Sequence, residues 1–145
     1  MRQTTSSTDQ SSRDTIQNIP PQKRSVLVID DSVDVLLLQR MMLENEGFEV
    51  FTAASGLEAL DMLDQINEPS LILLDMLMGD MSGAEFLTIL EEKKPNIVKA
   101  VPIVFLTGMD EVPKSKAVGF IRKPTNMTSF LKDVNRYVEN GRHAS

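Results

Sequence analysis

Four places in the chain set compact polar side chains directly behind runs of apolar ones. Val26-Leu27-Val28-Ile29 leads into Asp30-Asp31, Leu71-Ile72-Leu73-Leu74 into Asp75, Ile103-Val104-Phe105-Leu106 into Thr107, and Phe120-Ile121-Arg122 into Lys123-Pro124. Singly, an Asp-Asp, a Thr or a Lys-Pro at such a point serves helix capping or turn chemistry. Jointly they compose a different set of groups. Three carboxylates brought together repel one another, and a hard divalent cation relieves that repulsion. Magnesium suits such a site, because it takes oxygen ligands and tolerates one or two carboxylates together with water and phosphate oxygens. Lys123 adds a point charge and Thr107 a hydroxyl donor, a pair that suits an anion with several oxygens, a phosphoryl group more than a carboxylate. The chemistry on offer is the holding of a phosphoryl group beside a carboxylate.

From Ser25 onward, short apolar runs alternate with segments of helical period, the sequence form of a repeated strand-helix unit. The runs predict strands at residues 26–29, 48–52, 71–74, 103–106 and 120–122. Helices are expected over about 33–46, stopped by Gly47, over about 57–67, with Leu57, Leu60 and Leu63 at helical spacing, and over about 83–93. A last helix sets Met127, Phe130, Leu131, Val134 and Val138 on one stripe. Leu71-Ile72-Leu73-Leu74 has no polar alternation, so this strand is apolar on both faces and belongs in the middle of a parallel sheet covered by helices on each side. The fold class is therefore α/β, a doubly wound parallel sheet of five strands with right-handed crossovers. In such folds ligands bind beyond the carboxyl ends of the strands, which is where the polar residues stand.

The 145 residues suffice for one domain of ordinary size. Residues 1–24 are rich in Ser, Thr, Gln and Arg with little to bury, so a disordered N-terminal arm is expected there, a folded domain over 25–140 and a short tail over 141–145. Without cysteine there are no disulfides or thiolate metal sites, and the single histidine, His143, leaves no histidine for catalysis in the body of the domain. The net charge is −6 overall and −8 once the first 24 residues are set aside, which repels phosphate backbones and argues against a nucleic-acid partner. No apolar run approaches the roughly twenty residues of a membrane-spanning helix, and the N-terminus lacks a hydrophobic signal region. A cytoplasmic protein without a membrane partner is expected.

Over about residues 25–140 the sequence resembles the receiver domains of bacterial two-component response regulators. The first strand with Asp30-Asp31, the segment from Leu71 to Asp75 with Met78 and Gly83 behind it, Thr107-Gly108 and Lys123-Pro124 resemble the signature positions of that family. Phe120 falls where the family keeps a switching aromatic.

The resemblance implies a flavodoxin-like strand order of 2-1-3-4-5. It also implies that Asp75 is the nucleophile accepting a phosphoryl group from the phosphohistidine of a histidine kinase or histidine phosphotransfer protein. Asp31 and Asp75 would bind Mg2+ directly with the backbone carbonyl of Leu77, and Asp30 through water. Lys123 would neutralise charge on the transferring group, and its bond to Pro124 would be cis. Gly108 would offer its backbone to the phosphoryl pocket, while Thr107 and Phe120 would form the switch. Little chain follows the last helix, so a stand-alone receiver is expected, signalling to a downstream protein target by contact.

Several positions depart from the family pattern. Gly79 stands where proline is usual after the phosphoacceptor, which predicts a looser loop. Leu77 and Met109 are bulky and apolar where some relatives carry polar side chains that guide water to the acyl phosphate, so self-dephosphorylation should be slow. Only 15 residues separate Thr107 from Lys123. That is about six fewer than usual, roughly one and a half helical turns, so the fourth helix of the family is expected in truncated form.

Other readings fit less well. A scaffold with this fold could bind a partner without being phosphorylated. A phosphatase of the haloacid dehalogenase type would need a second aspartate two positions on, where the chain has Ser32 and Val33. An FMN binder would need a neutral phosphate loop where Asp30-Asp31 stands.

Overall fold

The computed structural model describes residues 24–107, 117, 119–122 and 126–141. The elements follow in the order β1 (Ser25–Ile29), α1 (Val33–Asn45), β2 (Glu49–Ala53), α2 (Gly56–Gln65), β3 (Leu71–Asp75), α3 (Gly83–Lys93), α4 (Pro95–Ala100), β4 (Ile103–Thr107), β5 (Gly119–Arg122) and α5 (Met127–Asn140). All strand pairs are parallel, and the sheet runs β2-β1-β3-β4-β5, the order implied by the resemblance.

Successive strand residues point to opposite faces, and that period of two divides the apolar side chains between two cores. Leu27, Ile29, Ile72, Leu74, Ile103 and Phe105 face one side, where Ala59 and Leu63 of α2, Phe86, Leu87 and Leu90 of α3 and Val98 of α4 cover them. Val26, Val28, Leu71, Leu73, Val104 and Leu106 face the other, against Leu36 and Leu43 of α1 and Phe130 and Val134 of α5. Leu71 to Leu74 are fully buried, as a run without polar alternation requires.

Four helices start on a side-chain cap. Ser32, Ser55, Ser82 and Asn126 accept the backbone N–H of Val35, Glu58, Glu85 and Ser129 at 3.3, 3.0, 3.0 and 2.8 Å. Each satisfies one of the first-turn N–H groups that have no partner within the helix. Past the end of α1, Gly47 takes φ 107°, a left-handed conformation that glycine adopts without the steric cost of a Cβ.

Three details differ from the sequence expectations. Leu57 does not belong to the buried stripe of α2. It is 64% exposed, and Ala59 and Leu63 take the inward positions. In α5, Phe130 and Val134 are buried while Met127 is exposed. The short α4 was not expected; Pro95 opens it at the first turn, where the missing N–H costs nothing, and Val98 fixes it to the core. The expected truncated helix between β4 and β5 lies outside the described residues, as do residues 1–23 of the expected arm and 142–145 of the tail. Among the described residues no helix is long and apolar enough to cross a membrane.

Candidate functional site

Strand register brings the polar residues to one edge of the sheet. Ile29 is the Cα partner of Leu74, so Asp30 and Asp75 are the next residues along two hydrogen-bonded neighbours. Asp75 is paired with Leu106, which sets Thr107 one position further along β4, and Thr107 is paired with Arg122 of β5. Lys123 and Gly108 lie outside the described residues.

One carboxylate oxygen from each of Asp30, Asp31 and Asp75 can be chosen so that all three lie within 4.8 Å of one another. Asp30 and Asp75 are 2% and 7% exposed, whereas Asp31 is exposed, so the cluster is rooted in the sheet and opens to solvent on the Asp31 side. The donors are hard oxygens throughout. That set fits a cation of the magnesium class and does not suit a soft metal.

Local backbone explains why these side chains stand there. The Asp30 N–H donates to the Ala53 carbonyl at 3.1 Å, extending the β1–β2 ladder by one residue. Its Oδ1 accepts the Ser32 N–H at 2.9 Å, and Ser32 in turn caps α1. On the other strand, the Met76 N–H donates to the Leu106 carbonyl at 3.3 Å, carrying the β3–β4 pairing just past Asp75. Thr107 is 2% exposed, and Phe120, on the outer strand, is 42% exposed.

The loop from Met76 to Ser82 is held at several points. Leu77 and Ser82 form an antiparallel bridge, and the Gly83 N–H donates to the Met76 carbonyl at 2.9 Å. The side chain of Leu77 is 72% exposed. Asp31 Oδ2 accepts the Gly79 N–H at 3.0 Å, so one of the three carboxylates touches the loop directly. Ser82 and Glu85 form a reciprocal capping box at the start of α3.

Asp80 reaches furthest. Its two carboxylate oxygens accept the N–H groups of Gly56 and Leu57, each at 3.2 Å, at the N-terminus of α2. Ser55 caps the next N–H, so a local and a remote acceptor together satisfy the first turn of α2. The carboxylate also lies at the positive end of the helix dipole. Asp80 had no distinguishing signal in the sequence, since an aspartate between glycine and methionine reads only as a turn residue.

The structure thus gathers Asp30, Asp31 and Asp75, sets Thr107 on the adjoining strand and Phe120 on the strand beyond, and leaves Leu77 on the rim. A carboxylate cluster at the carboxyl ends of β1 and β3, where the strand order reverses, is an arrangement that could hold a cation.

Comparison with known proteins agrees with that arrangement. A family model described as the response regulator receiver domain matches residues 26–135. The chain is 29% identical over 116 residues to sporulation initiation phosphotransferase F of Bacillus subtilis, covering 78% of this chain and 92% of that protein. It is 26% identical over 121 residues to the polar-differentiation response regulator DivK of Brucella ovis, covering 79% and 96%. Among solved structures it resembles the chemotaxis response regulator CheY4 of Vibrio cholerae, with a TM-score of 0.71 and 30% identity over 79% of this chain and 98% of that one. It also resembles TrrA of Thermotoga maritima in complex with Mg2+ and BeF, with a TM-score of 0.66 and 27% identity over 78% and 97%. The chain belongs to the response regulator receiver domain family of two-component systems.

Proposed function

We propose that the protein is a phosphoacceptor, taking a phosphoryl group from a phosphohistidine of a histidine kinase or histidine phosphotransfer protein onto Asp75, and signalling by contact with a downstream protein. The observation that carries this reading is the convergence of Asp30, Asp31 and Asp75 at the reversal point of the strand order. The similarity to a protein named as a phosphotransferase and to one solved with Mg2+ and BeF supports it. The receiver unit would span 25–140, with an arm over 1–24 and a tail over 141–145, in the cytoplasm.

In this reading a carboxylate oxygen of Asp75 attacks phosphorus. A P–O bond forms, the P–N bond to the donor imidazole breaks, and the imidazole nitrogen keeps the electron pair. Asp31, Asp75 and the Leu77 carbonyl would hold Mg2+ directly, and Asp30 through water. Bound magnesium supplies charge neutralisation to the carboxylates and the phosphoryl oxygens. Asp75 is buried at 7% exposure in the wall of the site, and a nucleophile held in place there would favour in-line attack. Lys123 would pair with a phosphoryl oxygen, the Gly108 N–H would line the pocket, and the Thr107 hydroxyl would donate to the acyl phosphate, with Phe120 moving from its exposed position to a buried one.

Titration with beryllofluoride and magnesium, followed by backbone amide spectra, tests this reading. Saturable, magnesium-dependent shifts at Asp75, Thr107 and Phe120 are expected. Their absence would favour a scaffold that binds its partner without phosphorylation.

A further inference from the structure

Position 79 carries glycine, yet neither of the usual reasons for glycine applies there. Its φ is not among the positive ones, and a Cβ added to it would meet only Asp31 Oδ2, at an ordinary contact distance of 3.6 Å. What the position does contribute is an N–H, which donates to that same Asp31 oxygen at 3.0 Å. A proline, the residue usual in the family at this point, has no N–H to give.

The bond joins two parts of the site that the sequence keeps 48 residues apart. Asp31 belongs to the turn between β1 and α1, and Gly79 to the loop after Asp75. A carboxylate oxygen has more than one acceptor direction, and among the described residues no hydrogen bond goes to the second oxygen of Asp31. The N–H therefore fixes the carboxylate without consuming it. It also ties Asp31 to the loop bearing the Leu77 carbonyl, two residues before Gly79. The next residue, Asp80, anchors that loop to α2 through Gly56 and Leu57.

We infer that Gly79 is a positioning residue for the cation site, its N–H holding the Asp31 carboxylate toward Asp75. The inference rests on the reading of the three aspartates as a magnesium site. Hydrogen bonds from outside the coordination sphere orient metal ligands, and their loss weakens metal binding.

The test is a magnesium titration of the unsubstituted chain, Gly79→Pro and Gly79→Ala, read by backbone amide shifts. Gly79→Ala keeps the N–H and should bind magnesium within about twofold of the unsubstituted chain, whereas Gly79→Pro should bind about tenfold more weakly, the lower end of the range for a lost outer hydrogen bond to a metal ligand. Equal affinity in the proline variant would overturn the inference and leave the magnesium reading standing. Failure of the unsubstituted chain to bind magnesium would overturn both. Should Gly79→Pro not fold, amide exchange decides. The Gly79 N–H should be protected in the unsubstituted chain and lose that protection in Asp31→Ala, and free exchange in the unsubstituted chain would overturn the inference.

Discussion

A Cβ built on Gly83 would lie 2.5 Å from the carbonyl oxygen of Asp75. The same atom would meet the Met76 Cα and the Phe105 ring, each at 3.1 Å, so the first turn of α3 packs against the backbone of the candidate phosphoacceptor. The obstructing atoms include main chain, which cannot rotate aside. Gly83→Ala is therefore expected to destabilise the fold by about 2 kcal/mol, the usual scale of overpacking, with a lowered thermal midpoint. Calorimetry of the variant checks this.

Asp80 supports stability from a distance. Asp80→Ala removes both acceptors at Gly56 and Leu57 and should cost about 1 kcal/mol, as loss of a helix cap does. Asp80→Asn keeps one acceptor oxygen and should fall between the two. Urea midpoints check the order, and faster amide exchange at Gly56 and Leu57 in Asp80→Ala would locate the effect.

The two sides of α1 should respond differently to substitution. Leu43 is fully buried against the sheet, and Leu43→Ala should cost about 2–5 kcal/mol. Leu37 and Met41 are exposed, so Leu37→Gln and Met41→Gln should each change stability by less than about 0.5 kcal/mol. Equal losses on both sides, measured by denaturant unfolding, would contradict the helix orientation.

Where an element is specified by its own residues, the sequence reveals it. The unbroken apolar run at Leu71 to Leu74 placed β3 in the middle of the sheet, and the polar residues behind the strands marked the edge where Asp30, Asp31 and Asp75 meet. Where the determinant is a distant contact, the sequence is silent. Leu57 has the spacing of a core residue, but the inward direction of α2 is set by how Ala59 and Leu63 meet the sheet. Nothing near α4 announces that Val98 will reach the core across a helix of six residues. The partners of Gly79 and Asp80 lie 48 and 24 residues away, beyond the reach of any local pattern.

Leu77 stands on the rim with its side chain in solvent, where it neither supports the core nor offers a polar group to water. Leu77→Asn should leave stability unchanged and shorten the lifetime of the acyl phosphate on the order of tenfold, less than a full general base contributes. Loss of phosphoryl signal from the purified phosphorylated chain over time measures this.

The nucleophile itself gives the most direct test. The chain is incubated with magnesium and a small acyl-phosphate donor, its intact mass is measured, and the modified residue is located after treatment with hydroxylamine. The account predicts one added phosphoryl group, labile to base and hydroxylamine, present in the unsubstituted chain and absent in Asp75→Asn. Equal modification of Asp75→Asn, or a stable phosphoryl group on serine or threonine, would contradict it.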